Sequence, residues 1–406
     1  MNKKILFINT TFGGGGAPKV ARDLFFYLNK TEGYEAYFAY GRGPKSDNPR
    51  VIKIGNIFEF FTHLFLVRVL GLEGFGSYFS TRKLINLIKK EKPNIIHLHN
   101  LHGYYLNFFT LFKFLKTINA SVIWTLHDEW SMTSLRAHST GCIHCKTGKG
   151  PCTSMYTYPK AYFAPFLPWV LAHKHEAFSG LKNMTIVSPA KWLAESAENS
   201  FLGQYSIKIV HNGVDTDLFK PLSDKQKNDL RIKYNLPTNK KIVLFSAHKM
   251  SDKNKGINYV LSLARETAIK NIFFVGIGEM KDPCMSNLKI TGYIKDGKKL
   301  AEFYGLSDLF IFPSVAETFS LVLLEVMASG LPVIGFDIPA FREIIDPQTG
   351  ILVPIKNQFA LNEAALSLLQ DENKIIEMGM AGSKKVSKNF SYQNFISGYM
   401  EIYKKL

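Results

Sequence analysis

The run from 309 to 345, LFIFPSVAETFSLVLLEVMASGLPVIGFDIPAFREII, carries the clearest chemistry. An apolar strand empties into a loop holding Glu317. A helix from about Ser320 to Ser329 follows, stopped by Gly330 and Pro332 in the order that ends helices. Glu325 lies within LVLLEVMA, where a carboxylate among apolar neighbours needs a partner such as ribose hydroxyls or a buried cation. The backbone amides of Thr318, Phe319, Ser320 and Leu321 stand where a helix start lacks internal acceptors, so they suit a phosphate or a sugar hydroxyl. Upstream, Lys255 in SDKNKG follows one strand and precedes an apolar-periodic helix. Alone it reads as a solvated lysine, and Glu317 alone as a capping acid. Its place between strand and helix favours a function for Lys255, and only its spacing to Glu325 lifts Glu317 above a capping role. Glu343 in FREII is either a ligand contact or a first-turn helix acid.

The first half adds a second set. Gly13 to Gly16 stand between an apolar strand and a helix opening near Pro18, with Val20, Leu24 and Leu28 at helical spacing. Strand, glycine loop and helix in that order can cradle a phosphate, and Gly15 and Gly16 are the loop residues of interest. His127 ends another strand at the carboxyl face, where Asp128 is placed to orient it. His97 and His99 also end a strand and read equally well as ordinary edge residues. His138, Cys142, Cys145 and Cys152 form a cluster with a Cys-x-x-Cys spacing. It reads either as a Cys3His zinc site or as a reduced or partly disulfide-linked loop, and it matches no common zinc module.

These residues need a frame to hold them. Short apolar runs alternate with amphipathic stretches, which predicts parallel sheets flanked by helices, an α/β class. The first series of strands is expected at 3–10, 34–40, 94–100, 121–126, 184–188 and 207–212. The second is expected at 240–248, 271–278, 288–294, 309–314, 332–336 and 350–354. Between them, 213–239 is rich in Asp, Lys and Pro and suits a linker with one surface helix. The reading is two doubly wound, Rossmann-like domains, 1–212 and 240–389, with ligands bound beyond the carboxyl ends of the strands in an interdomain cleft. The closing helix, 390–406, is expected to pack back on the first domain.

Composition narrows the function. The 406 residues are 46% hydrophobic and 13% aromatic, enough apolar surface for two cores. Net charge is +17, which suits nucleic acid, an anionic membrane surface or phosphorylated small molecules. No nucleic-acid module signature occurs, so nucleic acid is set aside. Residues 57–70, IFEFFTHLFLVRVL, are too short and too charged to span a bilayer. They read as a core-packed helix or as one lying in the headgroup plane. The N-terminal apolar run is shorter than a secretory signal requires. The expectation is a cytoplasmic protein, peripheral to the inner face of the membrane if it touches one.

The two glutamates separated by seven residues and followed by A-x-G-x-P-V-I resemble the signature of retaining glycosyltransferase family 4. So do SDKNKGINYVL (251–261), VHNGVDTDLF (210–219) and FSYQNFISGYMEIY (390–403). HLHNLHGYYLN (97–107) and WTLHDEWSMT (124–133) are similar to the bacterial exopolysaccharide transferases of colanic-acid type. The resemblance implies the GT-B fold and transfer of a sugar from a nucleotide-diphosphate sugar to a saccharide or lipid-linked saccharide, with retention. It implies that Glu325 accepts from ribose hydroxyls and that Glu317 contacts the sugar. The amides at Phe319 to Leu321 would hold the diphosphate, and Lys255 would neutralise it. His127 would face the reacting sugar, and Gly15 and Gly16 would approach the phosphates and acceptor. The family's usual second cation, an arginine, is absent, and Lys249 is the residue nearest its place. No aspartate pair is set to hold a divalent ion, so neither a metal nor another cofactor is expected beyond the nucleotide-sugar co-substrate. Two other readings compete: a GT-B-fold nucleotide-sugar epimerase, and a non-catalytic nucleotide-sugar or polyanion binding protein.

Overall fold

The computed structural model describes residues 2–139, 160–162, 166–267, 271–280 and 285–406. Cys142, Cys145 and Cys152 of the expected cysteine cluster lie outside them. The chain divides into two compact units. One comprises Met1–His211 with Gly398–Leu406, the other Asn212–Ser397.

The first unit is built on a seven-stranded sheet in the order β3-β2-β1-β4-β5-β6-β7. Its strands are β1 (Lys3–Thr11), β2 (Tyr34–Arg42), β3 (Val51–Lys53), β4 (Ile95–Leu98), β5 (Ser121–Thr125), β6 (Met184–Ser188) and β7 (Ser206–Ile209). The second unit's six strands, β8 (Lys241–Lys249), β9 (Ile272–Glu279), β10 (Leu288–Ile290), β11 (Leu309–Phe312), β12 (Val333–Phe336) and β13 (Gly350–Val353), run in the order β10-β9-β8-β11-β12-β13. Every strand pair is parallel. Numbered within its own unit, the first sheet runs 3-2-1-4-5-6-7 and the second 3-2-1-4-5-6, so the winding reverses between β1 and β4 and again between β8 and β11. Ligands of such sheets bind beyond the carboxyl ends of the strands at that reversal.

The strands form because their residues can be buried on both faces. Ile5 to Ile8 of β1, all of β4 and all of β11 are buried, as continuous apolar runs in parallel sheets require. Each large apolar side chain so enclosed contributes about 1.5–3 kcal/mol. Helices supply the cover. Ala17–Leu28 turns Val20, Ala21, Leu24, Phe25 and Leu28 inward, a single face at helical spacing.

Some boundaries differ from the sequence expectation. The edge strand β3 was not anticipated, because three residues give no alternation to read. The run expected to 294 ends at Ile290, where Gly292 turns the chain with a φ of 74°. The stretch 213–239 carries the helix Asp224–Lys233, opened by a reciprocal Ser223–Gln226 capping box. Its Arg231 donates to Asp308 at 2.8 Å and to the carbonyl of Leu306, which fastens this stretch to the second unit. The closing helix, Tyr392–Lys405, buries Tyr399 and Tyr403. Their hydroxyls reach Thr125 at 2.9 Å and His97 at 2.8 Å.

Candidate active site

In the second unit the switch point brings Lys255 and Glu317 into contact. Lys255 closes a short 3-10 turn, Lys253–Lys255, whose opening residue Asp252 accepts from the amide of Asn254. Gly256 follows with a φ of 64°, and a side chain there would overlap the carbonyl oxygen of Pro313. The glycine therefore permits the loop after β8 to lie against the loop after β11. Val315 N donates to Asn254 O at 2.8 Å, sealing that approach. Lys255 Nζ then donates to Glu317 Oε1 at 2.6 Å. Ser314 Oγ donates within the same cluster, with Glu317 Oε1 at 3.1 Å and Asn254 O at 3.0 Å. Burial alone would lower the Lys255 ammonium, but the charge of Glu317 and its hydrogen bond outweigh this and hold it above its ordinary value. The lysine is thus a fixed, fully protonated cation that remains partly open to solvent.

The helix Leu321–Ala328 starts beside this pair. Ser320 caps it by accepting from Leu323 N at 3.3 Å, and Leu324 N donates to Ser320 O. Helix geometry leaves the amides of Ser320, Leu321 and Val322 without acceptors inside the helix. Thr318 is partly buried, and Phe319 is buried with its ring against Phe390 at 5.7 Å. Glu325 is only half-buried, more open than its apolar neighbours suggest. The buried Tyr304 hydroxyl points at its Oε2 from 3.5 Å. Burial and then the charge of Glu325 push the Tyr304 phenol well above its usual range. Lys249 ends β8 and is exposed. Glu343 is the carboxyl-terminal cap residue of the short helix Pro339–Arg342, so the first of its two readings, a ligand contact, stays open and the second, a first-turn helix acid, does not hold.

The first unit offers a different set at its own switch point. Gly14 and Gly16 take φ of 102° and 63°, and Gly16 caps the helix Ala17–Leu28. Among the described residues, side chains on Gly13 to Gly16 would meet nothing within 4 Å, so space there does not select the glycines. Backbone conformation does so at Gly14 and Gly16 alone. Arg22 holds the loop, donating to the carbonyls of Phe12 at 3.2 Å and Gly14 at 3.4 Å.

His127 and His99 share a hydrogen bond of 2.9 Å between His127 Nε2 and His99 Nδ1, with rings stacked at 5.2 Å. Asp128 is not the partner of His127. Its Oδ2 meets His102 Nε2 at 2.8 Å and its Oδ1 accepts from Trp130 N. Burial pushes His127 down to about 4, with Asp128 pulling upward and His102 downward. Burial likewise sends His97 and His99 well below their ordinary value. His97 is held by Tyr403 and by Thr125 at 2.8 Å each. His138 is partly buried, while its cysteine neighbours lie outside the described residues. The sequence reading missed Ser314, Tyr304 and the role of His99. Only His99 left a trace, in the H-L-H-N spacing at a strand end.

The second unit can therefore hold an anion between a fixed lysine and helix amides, with carboxylates nearby for hydroxyls. Residues 14–218 match the family model described as Glycosyltransferase Family 4, and residues 240–371 match Glycosyl transferases group 1. The chain is 25% identical over 429 aligned positions to WcaC of Escherichia coli K12, named as a glycosyl transferase of colanic acid biosynthesis; these cover 99% of this chain and all of that protein. Among solved structures, sucrose-phosphate synthase of Thermosynechococcus elongatus superposes with a TM-score of 0.74 at 18% identity, covering 100% of this chain and 99% of the other. Anabaena HepE, solved with UDP and glucose, superposes with a TM-score of 0.67 at 14% identity over the whole of both chains. The chain belongs to glycosyltransferase family 4, and its two Rossmann-like units have the GT-B fold.

Proposed function

We propose that this protein moves a glycosyl unit from a nucleotide-diphosphate sugar to a saccharide or lipid-linked saccharide, with retention and without a divalent metal, in the synthesis of a bacterial surface polysaccharide. The observation that carries the reading is the 2.6 Å Lys255–Glu317 pair beside the start of the helix Leu321–Ala328. As the bond from anomeric carbon to diphosphate breaks, its electron pair stays on the diphosphate oxygen. Lys255 and the amides of Phe319 to Leu321 stabilise that growing charge, with Lys249 as a second cation. The acceptor hydroxyl oxygen bonds to the anomeric carbon on the face the diphosphate leaves, and its proton passes to the departing oxygen. Glu325 accepts from ribose hydroxyls, and Glu317 orients both Lys255 and the sugar. Gly15 and Gly16 provide backbone that a phosphate or the acceptor can approach.

His127 hydrogen-bonds the transferred sugar. Its tautomer follows from satisfaction of the buried ring atoms. Among the described residues His99 Nε2 is buried with no partner, so the His99 proton belongs on Nδ1, where it has an acceptor. His127 Nε2 is then the acceptor, and His127 offers Nδ1–H outward as a neutral donor. The likeness to WcaC supports the polysaccharide setting, and the UDP bound to HepE supports a nucleotide donor.

Thermal-shift titration with UDP, GDP, ADP and their sugars tests the reading. One nucleotide should raise the melting temperature of the wild type and lose most of that effect in Lys255→Ala. A folded protein stabilised by none of them, with and without saccharide acceptor, would refute the proposal. Turnover undiminished by a chelator and an axial–equatorial assignment of the product by NMR check metal independence and retention.

A further inference from the structure

The helix Ile57–Phe65 is apolar on both sides, and among the described residues only one side is packed. Phe60 and Leu64 pack on a buried cluster containing Val67, Tyr104 and Leu135. His63 is buried between Ser77 Oγ, which meets its Nδ1 at 2.9 Å, and the amide of Gly74, which donates to its Nε2. On the other side Ile57 is 61% exposed, Phe58 79%, Phe61 59% and Phe65 61%. At 3.6 residues per turn these four fall within an arc of about 100°, so they form one continuous stripe. Glu59 accepts from the amides of Phe79 and Ser80 at 2.7 and 2.8 Å, which docks the start of helix Tyr78–Glu91 alongside. That adds two more exposed rings, Tyr78 and Phe79. Exposed apolar residues of the second unit, such as Ile232 and Phe359, are far apart in the chain and on different helices.

Charge identifies the occupant. From residue 53 to 90 the chain carries Lys53, Arg68, Arg82, Lys83, Lys89 and Lys90 against only Glu59 and Glu73. Glu73 is buried, and Glu59 is engaged by helix amides. Arg82 lies over the Tyr78 ring at 5.4 Å, and Lys83 Nζ donates to the carbonyl of Lys53 at 2.8 Å. The stripe is therefore flanked by the exposed cations Arg82 and Lys83. A second copy would bring the same cations against these, which is unfavourable, whereas an anionic headgroup layer complements them.

We propose that the stripe Ile57, Phe58, Phe61 and Phe65, with Tyr78 and Phe79, is a docking surface for an anionic lipid bilayer, lying in the headgroup plane with Arg82 and Lys83 on lipid phosphates. The helix follows β3, so it begins at the carboxyl edge of the first sheet, the edge that also bears the glycine loop and His127. It is fixed there by Tyr104, in the loop after β4: Phe60 and Tyr104 rings lie 5.9 Å apart, and Ser77 Oγ donates to Tyr104 O at 3.2 Å. Lipid binding at this helix does not depend on the reading of the donor site.

Flotation of the full chain with phosphatidylcholine vesicles, with and without phosphatidylglycerol, tests the surface. The wild type should float with the phosphatidylglycerol vesicles and be released by salt. Phe58→Ser with Phe61→Ser should lower the bound fraction about tenfold or more, and so should Arg82→Glu with Lys83→Glu on the anionic vesicles. Both variants should keep the nucleotide-induced thermal shift, which separates lost docking from lost folding. The single variant Phe58→Ser serves if the double one does not fold. A wild type that stays unbound overturns the proposal, as does floating of the variants equal to wild type. So would light scattering that finds a wild-type dimer dissociated by Phe58→Ser, which would assign the stripe to a second copy.

Discussion

The two units wind their sheets alike and then place opposite chemistry at the reversal point. The second holds charge: Lys255 is kept above its ordinary value against Glu317, and both stay partly open to solvent. The first holds neutral, buried imidazoles: His97, His99 and His127 all lie below theirs. A fixed cation beside helix amides suits a leaving group whose negative charge grows during reaction. A histidine that does not protonate near neutrality suits hydrogen bonding to a sugar, since a charged ring would repel the positive charge developing at its anomeric carbon. The same architecture therefore carries a paired, charged lysine in one unit and neutral buried imidazoles in the other.

The contrast breaks most readily at Lys255. Lys255→Ala should lower kcat/KM by about 10²–10³, the range for removing one preorganised donor from a developing anion, and Lys255→Arg should recover only part of it. Steady-state kinetics with the donor varied would read this. A loss below tenfold would move the diphosphate role elsewhere. Gly256→Ala attacks the same site through the backbone. The positive φ and the overlap with Pro313 O should cost the second unit roughly 2 kcal/mol or more. Urea unfolding followed by far-UV ellipticity would measure it.

The second unit's site was the more legible in the sequence, for a physical reason. Glu317, the helix start and Glu325 lie within one strand–loop–helix segment, so local signals place them together. What the sequence hid was contributed across the fold. Ser314 meets Glu317 because its loop is held against Asn254, 60 residues earlier in the chain. Tyr304 reaches Glu325 from a neighbouring helix. In the first unit adjacency misled: Asp128 follows His127, but consecutive side chains near a strand end diverge, and Asp128 turns to His102. The true neighbour, His99, comes from the adjacent strand, where β4 and β5 pair Leu98 with Trp124. Strand pairing sets that contact, and no spacing within one segment announces it.

The first unit's side of the comparison sharpens at His99. His99→Gln keeps a donor but changes its position, and His99→Ala removes it. The alanine variant should lower kcat about tenfold with little change in KM for the donor. Nitrogen-15 spectra of the resting wild type should find His127 protonated on Nδ1, and the alanine variant should lose that preference. A wild-type His127 protonated on Nε2 would refute the donor assignment whatever the kinetics.

The smallest effect follows from protonation, and it separates the units by pH. His63 is pushed down by burial to about 3 and His127 to about 4, both from 6.5. His97 and His99 move the same way, and all four belong to the first unit. Between about 6.5 and 4 the unfolded chain binds protons that the folded unit refuses. Stability therefore rises with pH across that window and is lost as acid is added. The second unit carries carboxylates held low by partners: Asp337 by Arg342, and Asp346 by Lys385 against the opposing effect of burial. Their contribution is present above their ordinary value of 3.8 and fades only below it. The four tryptophans, Trp124, Trp130, Trp169 and Trp192, all lie in the first unit, so their fluorescence reports that unit alone. Acid titration should shift tryptophan emission between about pH 6 and 4, before the larger part of the far-UV ellipticity is lost. Coincident transitions below pH 4 would mean that the buried imidazoles do not set the first unit's acid limit, and the charge-neutral reading of His127 would lose its support.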